Sequence, residues 1–280
     1  MQYISNVTTD EERAFYGLKD AVLEKCTFAG EKDGESALKE TRFIEVRDCF
    51  FSLRYPLWHT ENFSLINSEM DENTRAALWY AKNGKIKRCR FFGTKCLREC
   101  EKTTLFLCKV KSPEFGWKCR NTDIYESEFE SEYLFLDGSD IEFYDSRLKG
   151  KYSFQYTENL KVKNAYLDTK DAFWHSKNAV IENSVIKGEY LGWYSENLTL
   201  INCKIIGTQP LCYCSGLRLI DCTMEETDLA FEYSDVKADI KGSIISVKNP
   251  KSGYIKADSI GEIINEDSVF DCRCEIVTDR

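Results

Sequence analysis

The stretch Leu198-Thr-Leu-Ile-Asn-Cys-Lys-Ile205 returns 19 residues later as Leu217-Arg-Leu-Ile-Asp-Cys-Thr-Met224. The same phrase occurs upstream as Ala179-Val-Ile-Glu-Asn-Ser-Val-Ile186 and, less closely, as Leu160-Lys-Val-Lys-Asn-Ala-Tyr-Leu167. Eight consecutive steps, from residue 84 to residue 236, are 19 residues long without insertion. A fixed period of this length is typical of a solenoid, in which each repeat forms one coil.

Each phrase has the pattern of two short strands. Its first and third residues are mostly apolar, and a small residue at the sixth position follows an Asn or Asp at the fifth. Alternation with a one-residue corner predicts two strands, and a third stretch such as Ala172-Phe-Trp-His-Ser-Lys-Asn178 precedes the phrase. We therefore predict an all-β fold, a right-handed parallel β-helix of about 12 coils with three short strands per coil.

The predicted boundaries follow the period. We expect a single β-helix domain over residues 1–280, with a cap and first strand at 1–20, regular coils at 21–243, and a C-terminal coil and cap at 244–280. The terminal coils need caps because an exposed coil is a sheet edge.

The cysteines fit the same repeat. Of 13 Cys, six share the sixth phrase position with Ser and Ala, so we expect them to fill a narrow core. No pair has the CxxC spacing of a zinc site, and we predict neither a metal nor another cofactor. The odd Cys count and the lack of a secretion-signal pattern at the start predict reduced thiols and a cytoplasmic protein.

Two columns of Asn and Asp mark the corners. Asn tolerates the left-handed conformation and can bond to the Asn one coil away, so we expect these residues to be structural. The corner inside the phrase carries Asp48, Asn67, Asp145, Asn164, Asn183, Asn202 and Asp221, and the position just before it carries Asn62, Asn83, Asn121, Asp140, Asn159, Asn178, Asn197 and Asp235.

The net charge of the chain limits the classes of molecule that it can bind. The chain has 38 Lys and Arg against 47 Asp and Glu, a net charge of −9. Binders of nucleic acid or anionic membranes present a basic face, so we expect neither partner. No apolar run approaches the length of a membrane span.

The corner Asn ladder and the three-strand coil resemble the single-stranded right-handed β-helix superfamily of the pectate lyases. The phrases Arg54-Tyr-Pro-Leu-Trp58, Ala172-Phe-Trp174 and Gly188-Glu-Tyr-Leu-Gly-Trp193 are similar to those of an uncharacterised bacterial family in that superfamily. This resemblance covers nearly the whole chain and implies the fold, whereas fold alone implies no activity. Distant pectinolytic relatives use acidic clusters on the exterior of the strand before the Asn corner, and no contiguous motif of theirs is present.

The stretch before each phrase holds two columns of interest. The tryptophan column is Tyr16, Lys39, Trp58, Trp79, Arg98, Trp117, Leu136, Gln155, Trp174, Trp193, Cys212 and Phe231. The tyrosine–histidine column is Gly17, Glu40, His59, Tyr80, Glu99, Lys118, Asp137, Tyr156, His175, Tyr194, Tyr213 and Glu232. Strand alternation would turn one column inward, while a bulge would put both outside, and the sequence leaves both alternatives open.

These columns supply the candidate site. Exposed aromatic rings in register can stack on sugars, so the expected partner is an oligo- or polysaccharide. The predicted substrate-binding residues are Trp58, His59, Trp79, Tyr80, Arg98, Trp117, Tyr156, Trp174, Trp193, Tyr194 and Tyr213.

Glu99, Lys118 and Asp137 form the polar centre of the tyrosine–histidine column. Carboxylates two coils apart would lie about 9.6 Å from each other, which is marginally compatible with an inverting glycosidase. The catalytic candidates are then Glu99, Lys118, Asp137 and His175. A structural cross-strand ion-pair ladder explains the same charges, and we favour it.

The alternative function is a non-enzymatic scaffold. In this hypothesis the aromatic strip is an interface for another protein or for a second copy in a homodimer.

Overall fold

The computed structural model describes residues 1–32 and 34–279. The chain divides into two compact units, Met1–Glu142 and Phe143–Arg280. Throughout the described residues, the regular structure consists of β-strands joined by turns.

Unit 1 is built from short strands that recur once or more per coil. They are β1 (Gln2–Ser5), β2 (Thr8–Thr9), β3 (Lys19–Glu24), β4 (Thr27–Phe28), β5 (Arg42–Arg47), β6 (Phe50–Phe51), β7 (Glu61–Ile66), β8 (Glu69–Met70), β9 (Leu78–Trp79), β10 (Lys82–Lys87), β11 (Arg90–Phe91), β12 (Leu97–Arg98), β13 (Glu101–Phe106), β14 (Lys109–Lys111), β15 (Glu114–Phe115), β16 (Arg120–Tyr125), β17 (Glu128–Ser131) and β18 (Tyr133–Leu134). The division between the units falls within β19 (Ser139–Tyr144).

The strands of unit 1 stack in parallel ladders. One ladder runs through β1, β3, β5, β7, β10, β13 and β16, and a second through β2, β4, β6, β8, β11, β14 and β17. The register between β10 and β13 pairs Lys82 with Glu101, which is the 19-residue step of the sequence.

Unit 2 continues the same construction with β20 (Arg147–Lys151), β21 (Glu158–Lys163), β22 (Tyr166–Lys170), β23 (Val180–Glu182), β24 (Val185–Lys187), β25 (Thr199–Ile201), β26 (Lys204–Ile206), β27 (Leu217–Glu225), β28 (Asp235–Lys241), β29 (Ser243–Lys248), β30 (Ser252–Ala257), β31 (Ser259–Ile264) and β32 (Glu275–Thr278). Its ladders keep the 19-residue step up to β27. Stacking then continues with other steps, because Asp235 pairs with Ser252 and Tyr254 with Glu275.

These ladders confirm a parallel β-solenoid with a repeat of roughly 19 residues, but they correct the coil count. There are about 15 turns rather than 12. The additional turns lie at the ends, where β1 already pairs with β3 and where β30 and β32 extend the stack. The C-terminal turns escape the 19-residue pattern because their steps differ from it, whereas β1 keeps the step, from Gln2 to Ala21, and was assigned to the cap.

The third strand also differs from the prediction. It forms between residues 78 and 134, as the pairs β9–β12 and β15–β18. In most other coils the stretch before the phrase is a turn. Left-handed residues such as Asp171, Phe173 and His175 interrupt the extended backbone there.

The core is confirmed. All six phrase-position cysteines are buried, and so are the apolar residues two positions further on, among them Phe28, Phe51 and Phe91 in unit 1 and Leu167, Ile186 and Ile205 in unit 2. Phe28 and Phe51 stack with ring centroids 4.7 Å apart. Small and large side chains therefore alternate inside each coil, as a thin solenoid requires.

The Asx ladders are confirmed as well. Asn178 donates to Asn159 at 3.4 Å and accepts from Asn197 at 3.1 Å, and Asn202 donates to Asn183 at 2.9 Å. Asn178 and its neighbours in this ladder have φ between 52° and 55°. The corners thus combine a left-handed backbone with side-chain hydrogen bonds along the stack.

Candidate functional site

The pre-corner segment is the stretch that precedes each phrase, such as residues 172–178. At its centre, the tyrosine–histidine column adopts a left-handed backbone, with φ of 56° at Tyr156, 55° at His175 and 59° at Tyr194. This conformation breaks strand alternation, so the preceding Trp174 and Trp193 stay half-buried and do not enter the core. The structure therefore matches neither alternative throughout: the tyrosine–histidine column lies outside, whereas the five tryptophans of the other column are half-buried.

In unit 2 these residues form a continuous stack, which we call the aromatic ladder: Tyr156, His175, Tyr194, Tyr213 and Tyr233. The centroid spacings are 4.9 Å, 5.0 Å and 4.8 Å up to Tyr213, with interplanar angles of at most 13°. Tyr233 is tilted at 5.8 Å and contacts Phe270 edge to face. One ring per coil is thus held in register.

The stacking decides which parts of the rings a ligand can reach. Neighbouring rings cover both faces of His175 and Tyr194, so the exposed part of each ring is its edge. Tyr156 is 54% exposed and Tyr194 is 42% exposed. A sugar therefore cannot stack on a ring face inside the ladder as we expected, because those faces are already occupied.

The ring edges are polar. Within residues 1–32 and 34–279, the hydroxyls of Tyr156, Tyr194 and Tyr213 form no hydrogen bond with the protein. Burial, and then the nearby Glu232 carboxylate, raise the pKa of Tyr213 to about 12, so this hydroxyl remains a donor at neutral pH. The ladder thus presents free hydroxyls at Tyr156, Tyr194 and Tyr213, with the imidazole edge of His175 between the first two.

Beside the ladder, the tryptophans serve packing. The rings of Trp174 and Trp193 stack at 5.3 Å. Trp174 Nε1 donates to the carbonyl of Tyr190 at 2.6 Å, and Trp193 Nε1 donates to that of Gln209 at 2.7 Å. Both indoles are therefore hydrogen-bonded to the next coil, and Trp193 packs against the ladder rings of Tyr194 and Tyr213.

Unit 1 has a second aromatic cluster. Trp58 and Trp79 stack at 5.5 Å, His59 lies 5.1 Å from Tyr80, and Lys39 Nζ lies 3.8 Å from the Trp58 ring centroid. A cation also covers the next rings, because the Arg98 guanidinium is 5.3 Å from the Trp79 centroid and 5.8 Å from that of Trp117. His59 Nδ1 lies 2.8 Å from Glu40 Oε1. These cation–π contacts close the faces of this cluster too.

The catalytic candidates of unit 1 lie in ion pairs. Glu99 Oε1 is 3.4 Å from Arg98 Nε, and Asp137 Oδ2 is 4.0 Å from Lys118 Nζ. Lys118 and Asp137 lie on neighbouring coils, as in the structural ladder that we favoured, whereas Glu99 pairs with the residue before it in the same coil. His175, the fourth candidate, is a member of the aromatic ladder in unit 2, and the catalytic roles stay predictions.

The structure also corrects which residue occupies the last position of the tyrosine–histidine column. Coil 214–233 is one residue longer than its neighbours, since Cys214 N bonds to Ser234 Oγ, 20 residues away. Tyr233 therefore occupies the ladder position that the 19-residue step assigned to Glu232. Gln155, Cys212 and Phe231 of the tryptophan column are buried. In the sequence, the spacing of 20 residues between Tyr213 and Tyr233 could have revealed that this coil is longer.

No group of three or more His, Cys, Asp or Glu that could hold a metal ion occurs among the residues that the structure describes. In the same part of the chain, no helix is long and apolar enough to cross a membrane.

With this geometry established, comparison with known proteins gives the family. The model of a family described as a protein of unknown function (DUF3737) matches residues 2–277. The chain belongs to this family. The match confirms the resemblance to an uncharacterised β-helix family, and the curated proteins contain no match.

Solved structures with a similar chain course include two bacterial proteins. The A-module of the mannuronan C-5 epimerase AlgE4 of Azotobacter vinelandii is 10% identical, with 99% of this chain and 90% of that chain covered and a TM-score of 0.36. The surface protein and adhesin PfbA of Streptococcus pneumoniae is 11% identical, with coverages of 98% and 90% and a TM-score of 0.38. Superpositions this distant carry no argument about activity or ligand.

Proposed function

We propose that the protein binds a linear carbohydrate along the aromatic ladder of unit 2. The observation that carries the proposal is the row of polar ring edges repeated at 4.8–5.0 Å from Tyr156 to Tyr213. A pyranose ring and its linkage extend a glycan by about the same distance as one coil, on the order of 5 Å. One sugar per coil would then meet one hydrogen-bonding edge per coil.

The mode of binding differs from our first expectation. Sugars would accept from and donate to the free hydroxyls of Tyr156, Tyr194 and Tyr213 rather than stack on ring faces. The rings are already immobilised by their neighbours, so little side-chain entropy is lost on binding. This pre-ordering favours a binding protein, and we place it in the cytoplasm, where its thiols stay reduced.

The experiment is a glycan array at neutral pH with the wild-type chain and Tyr194→Ala. Tyr166→Ala is the matched control, since Tyr166 is 38% exposed in unit 2 but lies outside the ladder. We expect at least one linear glycan to bind, with binding lost in Tyr194→Ala and retained in Tyr166→Ala. Absence of any glycan ligand, or equal loss in both variants, would contradict the proposal.

A protein interface is the second candidate. It is favoured by the covered ring faces of both units, because rigid aromatic and cationic side chains are common at interface hot spots. A homodimer through this strip would appear as a doubled mass in size exclusion with light scattering. A monomer that binds glycans would exclude it.

A further inference from the structure

Unit 2 contains a groove of about 690 Å³ on the coils between residues 150 and 226. Its floor includes Gly150, Gly188 and Gly207, and its walls carry Asp168, Lys170 and Glu189. The 19-residue step places residues 168 and 187, 169 and 188, and 170 and 189 in three adjacent columns. The groove therefore runs over consecutive coils with a floor between two polar walls.

Backbone contacts require glycine at two positions of the groove lining. A Cβ at Gly188 would lie 2.2 Å from the carbonyl oxygen of Thr169, and one at Gly207 would lie 2.2 Å from that of Gly188. Gly207 also has a φ of 129°, which side-chain-bearing residues rarely adopt. The backbone thus excludes side chains from the floor and keeps the space open.

Beside the groove lies a buried carboxylate with unusual surroundings. Asp171 is 7% exposed, and no hydrogen bond reaches its carboxylate from any residue in the described ranges 1–32 and 34–279. Its nearest cation is Lys170, whose Nζ lies 3.9 Å from Oδ2. The same Nζ lies 4.0 Å from Glu189 Oε2, so one lysine is shared between two carboxylates.

The electrostatics agree with this geometry. Burial is the main cause that raises the pKa of Asp171, and the Glu189 carboxylate raises it further. The Lys170 and Lys151 cations lower the pKa, but the net shift is upward. Asp171 is not one of the residues that line the groove, so it acts there through Lys170, whose ammonium it shares with the lining residue Glu189.

The charges of the groove indicate the ligand. Asp168, Glu189 and Glu226 face Lys170 and Lys187, so the opposing charges nearly cancel. A strongly charged ligand would meet repulsion as well as attraction, whereas hydroxyls can donate to carboxylates and accept from ammonium groups.

We propose that this groove binds a neutral ligand of one or two sugar rings, whose hydroxyls donate to Asp168 and Glu189 and accept from Lys170. It shares the ligand class of the proposed function but none of its residues. Loss of the ladder therefore leaves this proposal standing.

The test uses NMR of the full chain with neutral mono- and disaccharides as probes, and with glucuronate and glucosamine as charged counterparts. A neutral sugar should shift the amide signals of Gly188 and Gly207. Thr208→Trp, which fills the groove, should weaken this binding by at least about tenfold. The matched control Thr223→Trp, on β27 outside the groove, should bind like the wild type.

A second variant guards against misfolding. Glu189→Gln keeps the shape of the side chain and should also weaken binding, while Tyr194→Ala in the ladder should leave it unchanged. Sugar binding should also change the side-chain carboxyl ¹³C shift of Glu189, because hydroxyl donors then contact this carboxylate. No shift with any neutral probe, tighter binding of a charged sugar, or unchanged binding in Thr208→Trp would overturn the proposal.

Discussion

A single backbone conformation recurs at the residues that shape this surface. Left-handed φ values near 55° occur at the Asn corners and again at the ladder residues His175 and Tyr194. At the corners, Asn accommodates this conformation and its amide bonds to the next coil. At the ladder, Tyr and His have no such local advantage, so stacking between coils must offset the strain. The ladder residues are therefore held by their neighbours.

We expect Asn178→Ala to lower the free energy of unfolding by about 1–2 kcal/mol, because Ala pays for the left-handed conformation and loses two side-chain hydrogen bonds. Asn178→Gly, which is relaxed at this φ, should lose less. Urea unfolding followed by circular dichroism measures both. An Ala variant as stable as the wild type would contradict the structural role of the ladder.

The thiols give a second residue-scale prediction. Eleven of the 13 cysteines are buried, while Cys272 and Cys274 are half-exposed. Burial raises the pKa of Cys49 and Cys89 to about 12, and that of Cys274 to about 11. Since the thiolate is the nucleophile, the buried Cys49 and Cys89 should react slowly at pH 8, whereas Cys274, which the reagent can reach, should react faster than both.

Iodoacetamide followed by peptide mass spectrometry should label Cys272 and Cys274 in the folded chain and all 13 cysteines in guanidinium. Unfolded chain provides the control for reagent access. Rapid labelling of Cys49 or Cys89 under native conditions would show that the core column is not packed as described.

At the scale of the element, the repeat allowed the core positions to be predicted, whereas the turns carried little sequence signal. The period placed Cys26, Phe28 and their equivalents in the core because side-chain burial follows the phrase residue by residue. In most coils outside residues 78–134 the pre-corner segment is a turn rather than the predicted strand, since left-handed Tyr and His have no sequence signature comparable to Asn or Gly. Coils of other lengths, such as 214–233, moved Tyr233 out of the expected register.

The groove illustrates the same limit. Gly150, Gly188 and Gly207 are visible in the sequence at multiples of 19, but their effect depends on carbonyl positions one coil away. Asp171 was recognisable only as an acid among the aromatic and amide residues Tyr152, Tyr190 and Gln209 of its column. Its burial follows from three-dimensional packing.

Asp171 permits an element-scale prediction on pH. Its folded pKa lies above the ordinary value of 3.8, so the folded state binds the proton more tightly than the unfolded state does. The resulting stabilisation is complete below pH 3.8 and is lost as pH rises through the folded pKa. Asp171→Asn, which cannot ionise, should therefore raise the melting temperature at pH 7 relative to the wild type.

Thermal unfolding at several pH values measures this effect. The gain of Asp171→Asn over the wild type should shrink as pH falls toward 3.8. Asp168→Asn in the groove wall is the control for removing a surface carboxylate. A gain that is constant with pH, or a loss at pH 7, would contradict the burial cost.

For the whole molecule, the repeat explains why a binding surface is linear. Every coil contributes one residue to each column, so a favourable side chain repeated along the chain becomes a row with a spacing of about 5 Å. Charged columns become ion-pair ladders, as between Lys118 and Asp137, and aromatic columns become stacks. The linear glycan that we propose as the ligand would match this repeated spacing.

The most direct test of this account is the dependence of affinity on glycan length. For the glycan that the array identifies, isothermal titration with oligomers of one to eight sugars should show affinity rising with each sugar up to about four and then levelling. Four is the number of closely stacked rings from Tyr156 to Tyr213. Affinity that does not depend on length, or that is unchanged in Tyr194→Ala, would contradict binding along the ladder.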